Sequence, residues 1–282
     1  MKIDKVVSLF DGIACGLTAL KRTGIEVSEY HAFEIDKYAM QIAKKNHPEI
    51  IYHGEISPDT DFAQFKGADL LIGGSPCQGF SFAGKQLAFD DPRSQLFFEF
   101  MRAKNDIKPK HFLLENVKMK KEYLDVISGL IGVEPILINS ALVSAQNRKR
   151  YYWCNWDVRQ PEDKNIQAID IIVKEDKSVN TDGWYKWWNR KAEYQLNKKY
   201  SCFINEEKKG LCMVARQISN WSGNLVKHNK GIRFISPIEA ERLQTLPDNY
   251  TDGVAKSHRY KMLGNGWTVD VIKHLFKELK ES

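Results

Sequence analysis

Short apolar runs recur along the first half of the chain, each ending in a polar or glycine-bearing turn and followed by a stretch of helical period. Residues 5–10, KVVSLF, form the first run, DGIACG the turn, and a helix is predicted from about Leu17. YHAFEID, 30–36, predicts a second strand ending in carboxylates, and 37–48 a helix closed by Pro48. A strand over 68–76, a helix over 93–109, a strand over 110–117, a helix over 122–132 and a strand over 134–143 continue the series. Nearly continuous apolar strands alternating with helices predict a parallel α/β sheet covered on both faces. Ligands of such sheets bind beyond the carboxyl ends of the strands. Asp11, Glu34, Asp36, Pro76, Cys77, Glu115 and Asn116 all fall at those ends.

The rhythm fails after about Asn155. Residues 156–232 give short, uneven segments rich in Asn, Lys and Trp, which predicts a second, smaller domain. Order returns at SPIEAERLQTLP, 236–247, where Ser236, Pro237 and Glu239 form a helix start. A glycine turn and an amphipathic C-terminal helix follow it.

Composition narrows the class. A chain of 282 residues that is 43% hydrophobic and 28% charged reads as soluble and globular. No run of 18 apolar residues suggests a membrane span, and the N-terminus lacks a signal-peptide core. Cysteines at 15, 77, 154, 202 and 212 form no CxxC or Cys/His cluster, so no zinc site or disulfide framework is expected and a reducing compartment fits. The net charge of +6 says little, but its distribution says more. Between Lys186 and Arg233 there are 11 Lys or Arg against 3 Glu, and six of the seven tryptophans lie between Trp153 and Trp221. That segment is either a nucleic-acid face or a tryptophan-rich core with a solvated basic surface.

The turns carry the candidate chemistry. FDGIACG matches neither GxGxxG nor a phosphate loop, which favours a nucleotide-like ligand without a cradled pyrophosphate over NAD or ATP. Glu34 or Asp36 is placed to hold ribose hydroxyls, or is simply a solvated strand-end acid. Cys77, in GGSPCQGFSF, follows Pro76 in a glycine-rich loop and is either an activated nucleophile or a small buried hydrophobe. Glu115, in LLENV, is either a proton donor or a structural acid. Arg148 and Arg150 would project to one side of an extended segment, as a clamp for phosphate or a base carbonyl or as a solvated charge run. Asn265, in LGNGW, would order a tight turn.

Together these residues resemble the ordered motifs of the DNA cytosine-5 methyltransferase family, over positions 5–155 and 235–280. The matching segments are FDGIACG, HGEI (53–56), SPCQGFS, RSQLFFEF (93–100), ENV (115–117), QNRKR (146–150), ERLQTLP (241–247) and GNGW. HGEI departs from the usual GDI, and GNGW from GNA or GNS. The opening FDG is most like the de novo animal enzymes and some phage or bacterial members. The resemblance implies a Rossmann-like S-adenosylmethionine-dependent methyltransferase sheet with a smaller DNA-recognition domain. Residues 1–155 completed by 262–282 would form the catalytic domain, and 156–261 the recognition domain with a bracing helix.

It also implies roles. Phe10, Asp11, Gly12, Ile13 and Gly16 would surround S-adenosylmethionine, and Glu34 would bind its ribose. Ile35 would pack on the adenine, Glu55 beside Ile56 would hold the adenine amino group, and Pro76, Leu96 and Asn265 would complete the site. Cys77 would add to cytosine C6, Glu115 would serve N3, Arg150 would hold O2, and Arg148 would support the loop or a phosphate. Gln146 belongs to the same motif. Residues 79–92, with Phe80, Ser81 and Lys85, would form a lid over flipped-out DNA. The products would be 5-methylcytosine and S-adenosylhomocysteine, with no metal. Double-stranded DNA would be the partner of a cytoplasmic monomer in a bacterial or phage setting, with a cognate restriction endonuclease as a genetic companion. The rivals are a transfer-RNA cytosine-5 methyltransferase and a catalytically silent DNA-binding relative. A nucleotide-dependent oxidoreductase is disfavoured by the missing GxGxxG.

Overall fold

The computed structural model describes residues 1–74, 95–173, 202–204, 208–217, 223–228 and 231–282. Cys77, Pro76, the 79–92 segment and much of the basic stretch therefore lie outside the described residues.

The first half alternates as the pattern requires. It runs β1 (Lys2–Leu9), α1 (Cys15–Thr23), β2 (Glu26–Phe33), α2 (Lys37–Asn46), β3 (Ile51–Gly54), β4 (Leu70–Gly73), α3 (Gln95–Ile107), β5 (His111–Val117), α4 (Lys121–Ile131) and β6 (Ile136–Asn139). Then come β7 (Gln146–Asn147), β8 (Lys149–Cys154), β9 (Cys202–Phe203), β10 (Gly210–Leu211), β11 (Asn224–His228) and β12 (Gly231–Phe234). Three helices close the chain: α5 (Pro237–Leu243), α6 (Lys256–Asn265) and α7 (Val269–Glu281).

Seven strands form one sheet in the order β3-β2-β1-β4-β5-β8-β6. The pairs β3-β2, β2-β1, β1-β4 and β4-β5 are parallel, and β8 runs antiparallel to β5. The fold is α/β with a parallel-dominated sheet. The second half of β1 and all of β4 are buried because both faces are covered there, with Val6, Val7, Leu9, Leu70, Leu71 and Ile72 in the interior. One core is strongly aromatic, with Phe33, Phe62, Phe65, Phe97, Phe100, Phe112 and Trp153. Gly73 ends β4 beneath this cluster, and a Cβ there would meet the Phe100 ring at 2.8 Å.

The chain divides into two compact units. The first holds 1–138, 149–160 and 272–282; the second holds 139–148 and 161–271. The expected boundary at 155/156 thus falls at 160/161, while 139–148 and 262–271 lie in the second unit. Trp153 and Trp156 belong to the first unit's interior rather than to an aromatic binding face. Their indole N–H groups donate to Ser128 Oγ (3.0 Å) and to the Leu275 carbonyl (3.0 Å).

In the second unit, α5 starts with the capping box read from the sequence. Ser236 Oγ accepts from the Glu239 N–H, and the Glu239 carboxylate from the Ser236 N–H. The buried Glu239 also pairs with Arg233 through two hydrogen bonds of 2.7 Å. Two residues on, Glu241 is buried against Arg259 at 2.8 Å and also takes the Thr251 hydroxyl. Among the described residues, no helix is long and apolar enough to cross a membrane.

Candidate active site and cofactor cradle

The loops that leave β1, β2 and β3 bring Phe10, Asp11, Gly12, Glu34, Ile35, Glu55 and Ile56 to the carboxyl end of the parallel strands. The chain turns sharply after Leu9. Phe10 (φ 57°), Gly12 (φ 61°) and Ala14 (φ 58°) are all left-handed, a conformation that is uncommon for Phe and Ala. Backbone N–H groups hold this turn to the next strand. Asp11 N–H donates to the Phe33 carbonyl (3.1 Å) and Gly12 N–H to Glu34 Oε2 (2.7 Å).

Glu34 is thereby fixed. Its Oε1 accepts from the N–H groups of Ile35 (2.7 Å) and Asp36 (2.8 Å). A carboxylate has about four acceptor positions, so one remains for a ligand hydroxyl. Ile35 stands beside it 70% exposed, an apolar surface at the strand end. Asp36, the other acid at this strand end, is the N-cap of α2 and accepts from Tyr38 N–H at 3.0 Å. Of these two acids, Asp36 is thus taken up in capping α2. Exposed Glu55 and partly buried Ile56 follow β3. The set of one anchored acid, one exposed aliphatic side chain and a second exposed acid fits the ribose and adenine of S-adenosylmethionine.

Several candidates differ from their expected form. The Asp11 side chain turns inward, where its Oδ1 accepts from Ser8 Oγ and Tyr30 OH, both at 2.6 Å. Its Oδ2 is buried without a hydrogen-bond partner. Burial pushes this carboxyl up to about 6, against the two hydrogen bonds. Tyr30 is raised as well, by burial and by the facing carboxyl. Ile13 lies in the core and Gly16 in the first turn of α1, so neither offers an exposed side chain. Leu96 is half-buried in the first turn of α3.

Glu115 lies within β5, near the end of the strand expected over 110–117. β5 continues to Val117 because β8 pairs with it, setting Glu115 opposite Tyr152 and Val117 opposite Arg150. Glu115 and Arg150 are thus diagonal neighbours on one face. Arg150 Nε meets Glu115 Oε1 at 2.9 Å, with both side chains largely buried.

Arg148 belongs to the second unit and is not a surface clamp. Its guanidinium is buried, donating to the carbonyls of Met213 (2.9 Å), Gly264 (3.2 Å) and Gly266 (2.8 Å). Gln146 works beside it: its amide donates to Leu243 O (2.6 Å) and Gln244 Oε1 (2.9 Å), and accepts from Met213 N–H (3.0 Å). Asn265 is exposed at the end of α6, and Gly264 is helical rather than part of a free turn.

Known proteins resemble the chain in sequence and in fold. The sequence profile of the C-5 cytosine-specific DNA methylase family matches residues 5–181 and 155–281. The type II methyltransferase M.NlaX of Neisseria lactamica is 32% identical over 301 residues, covering 98% of this chain and 96% of that protein. The type II methyltransferase M.Eco47II of Escherichia coli is 42% identical over 323 residues, covering 94% of this chain and 76% of that protein. The solved structure of the Entamoeba histolytica methyltransferase EhMeth superposes with a TM-score of 0.79 at 19% identity, over 100% of this chain and 99% of that one. A profile matched along nearly the whole length, together with relatives above 30% identity, places the chain in the C-5 cytosine-specific DNA methylase family.

Proposed function

We propose that the chain transfers a methyl group from S-adenosylmethionine to C5 of a specific cytosine in double-stranded DNA. The observation that carries this reading, within the family, is the Glu115–Arg150 pair at 2.9 Å on one face of the sheet. A carboxyl and a guanidinium side by side suit N3 and O2 of one cytosine ring.

C5 is a weak nucleophile while its electrons belong to the aromatic ring, and covalent catalysis relieves this. The Cys77 thiolate adds to C6, and Glu115 hydrogen-bonds or protonates N3, so that negative charge does not accumulate on the ring. Arg150 holds O2. S-adenosylmethionine, when bound, supplies an electrophilic methyl group, which C5 takes up. Loss of the C5 proton, to water, expulsion of the Cys77 thiolate from C6 and return of the N3 proton to Glu115 then restore the aromatic ring. Phe10, Gly12, Glu34, Ile35, Glu55, Ile56, Pro76, Leu96 and Asn265 hold the cofactor in this reading. Asp11, Ile13 and Gly16 act through backbone and packing, and Arg148 positions the segments it binds. No metal takes part. The target base is flipped out of the duplex, and the second unit reads the flanking DNA. The protein acts as a cytoplasmic monomer in a bacterial or phage-infected cell, with a cognate restriction endonuclease as its companion.

Bisulfite sequencing of DNA from cells expressing the protein tests activity, target base and context together. Wild type should give protected cytosines in one short context, and Cys77→Ala none, with an unchanged circular dichroism spectrum. Near-normal methylation by Cys77→Ala would sink the covalent assignment. Parallel assays on duplex DNA and transfer RNA separate the RNA rival, which predicts transfer to RNA alone.

A further inference from the structure

Arg102 stands on α3 and reaches across to the loop that follows β3. Its Nη1 donates to the Thr60 carbonyl at 2.7 Å and its Nη2 to the Ser57 carbonyl at 2.8 Å. Glu99, one turn back on the same helix, takes Nε (3.0 Å) and Nη2 (2.6 Å). The guanidinium also lies 4.5 Å from the centre of the Phe62 ring. Its donors are therefore shared between a countercharge on its own helix and two carbonyls of another element. An ammonium group could not do both, because it lacks the planar fork.

The loop so held begins at Gly54, whose φ is +78°, and carries Glu55 and Ile56. It is closed on itself by Thr60 N–H to Ser57 O (3.0 Å) and Ser57 N–H to Thr60 Oγ1 (2.9 Å). That turn fixes the loop's shape but not its place over the sheet. Ile56 packs against the aromatic core, and Arg102 fixes the far side of the turn. The helix carrying Arg102 also carries Leu96.

We propose that Arg102 is a positioning residue for the cofactor, setting the loop bearing Glu55 and Ile56 against α3 so that the adenine end of S-adenosylmethionine meets a preformed pocket. This rests on the cofactor reading above. Arg102 touches the loop and not the reacting atoms, so its loss weakens cofactor binding and leaves the methyl-transfer step intact. Phe97 and Phe100, on the same helix, are buried in the core.

Calorimetric titration of S-adenosylmethionine and of S-adenosylhomocysteine into the full chain tests this directly. Arg102→Met should raise both dissociation constants by about tenfold, and Arg102→Lys, which keeps the charge over Phe62, by less. At saturating cofactor, kcat and the KM for DNA should stay within about twofold of wild type. A purely structural role would instead lower the fraction of protein that binds, with the dissociation constant unchanged in that fraction. Folded Arg102→Met with wild-type affinity for both molecules would overturn the proposal. If the position 102 variants do not fold, Glu99→Gln decides: a smaller rise in both constants supports the clamp, and none overturns it. Wild type that binds neither molecule would remove the cofactor reading itself, and the proposal with it.

Discussion

Asp11 and His47 are buried in the same unit and respond to acid in opposite directions. The folded Asp11 carboxyl, raised to about 6, keeps a proton between pH ~4 and ~6 that the unfolded chain has released. Its contribution to stability is complete below the unfolded value and is lost as pH rises through 6. The loss is on the order of 2–3 kcal/mol for a shift of this size. His47 does the reverse. Burial, with Lys21 alongside, pushes it down to about 4, while its ring contacts Thr18 Oγ1 at 2.9 Å. Its contribution is present above the unfolded value of ~6.5 and is lost as pH falls through 4. The two slopes oppose each other between pH ~4 and ~6, so each partly hides the other in wild type. Asp11→Asn should therefore steepen the loss of thermal stability on acidification, and His47→Gln should reverse its sign relative to wild type. Melts at half-unit steps from pH 4.5 to 7 check this. A profile for Asp11→Asn that stays parallel to wild type would show that this carboxyl does not titrate in the window.

At the scale of elements, two helical glycines make opposite predictions. A Cβ on Gly264, in α6, would land on the backbone of Val214 and Ala215. A backbone cannot rotate away as a side chain can, so Gly264→Ala should destabilise by about 3 kcal/mol or more, beyond ordinary overpacking. Gly129, in α4, is exposed, and a Cβ there meets nothing within 4 Å. Gly129→Ala should stabilise by about 0.5–1 kcal/mol. Urea titration reads both, and a neutral Gly264→Ala would mean that α6 can move away from Val214. The same contrast explains what the sequence made legible. The turn after β1, the acid after β2 and the cap of α5 are local patterns, readable from spacing alone. The close approach at Gly264 is made by residues 50 positions earlier. Likewise the strand carrying Glu115 is legible over 110–117, but its antiparallel pairing with β8, which sets Arg150 beside Glu115, is not. Arg148 and Arg150 look alike in QNRKR, but one finds three carbonyls and the other a carboxylate. Nothing local distinguishes them. Arg102 pairs locally with Glu99 at i,i+3, while its hold on Ser57 and Thr60 joins residues more than 40 positions apart.

Over the whole molecule, the excess of 42 basic over 36 acidic residues invites a DNA-binding argument, yet the basic residues are not equivalent. Arg233 is buried in a doubly hydrogen-bonded pair with Glu239, and Lys209 Nζ donates to the Ile166 carbonyl at 2.6 Å. Each belongs to the 186–233 stretch that reads either as a nucleic-acid face or as a solvated basic surface, and each is engaged within the fold. The two kinds of cation separate by how removal acts. A Lys at a phosphate releases a counterion on binding, so the slope of log affinity against log salt changes by about 0.9 for each such Lys removed. Replacing both Lys198 and Lys199 by Gln should lower that slope by roughly 2 in magnitude while leaving the melting temperature unchanged. Arg233→Gln should instead leave Glu239 buried without its partner and destabilise by about 3–5 kcal/mol, with the salt slope of the folded protein unaltered. Fluorescence anisotropy on a fixed duplex at several salt concentrations, with melts of each variant, reads both quantities. An unchanged slope in the double Lys variant would place the phosphate-binding cations elsewhere, and a changed slope in Arg233→Gln would mean that its ion pair opens when DNA binds.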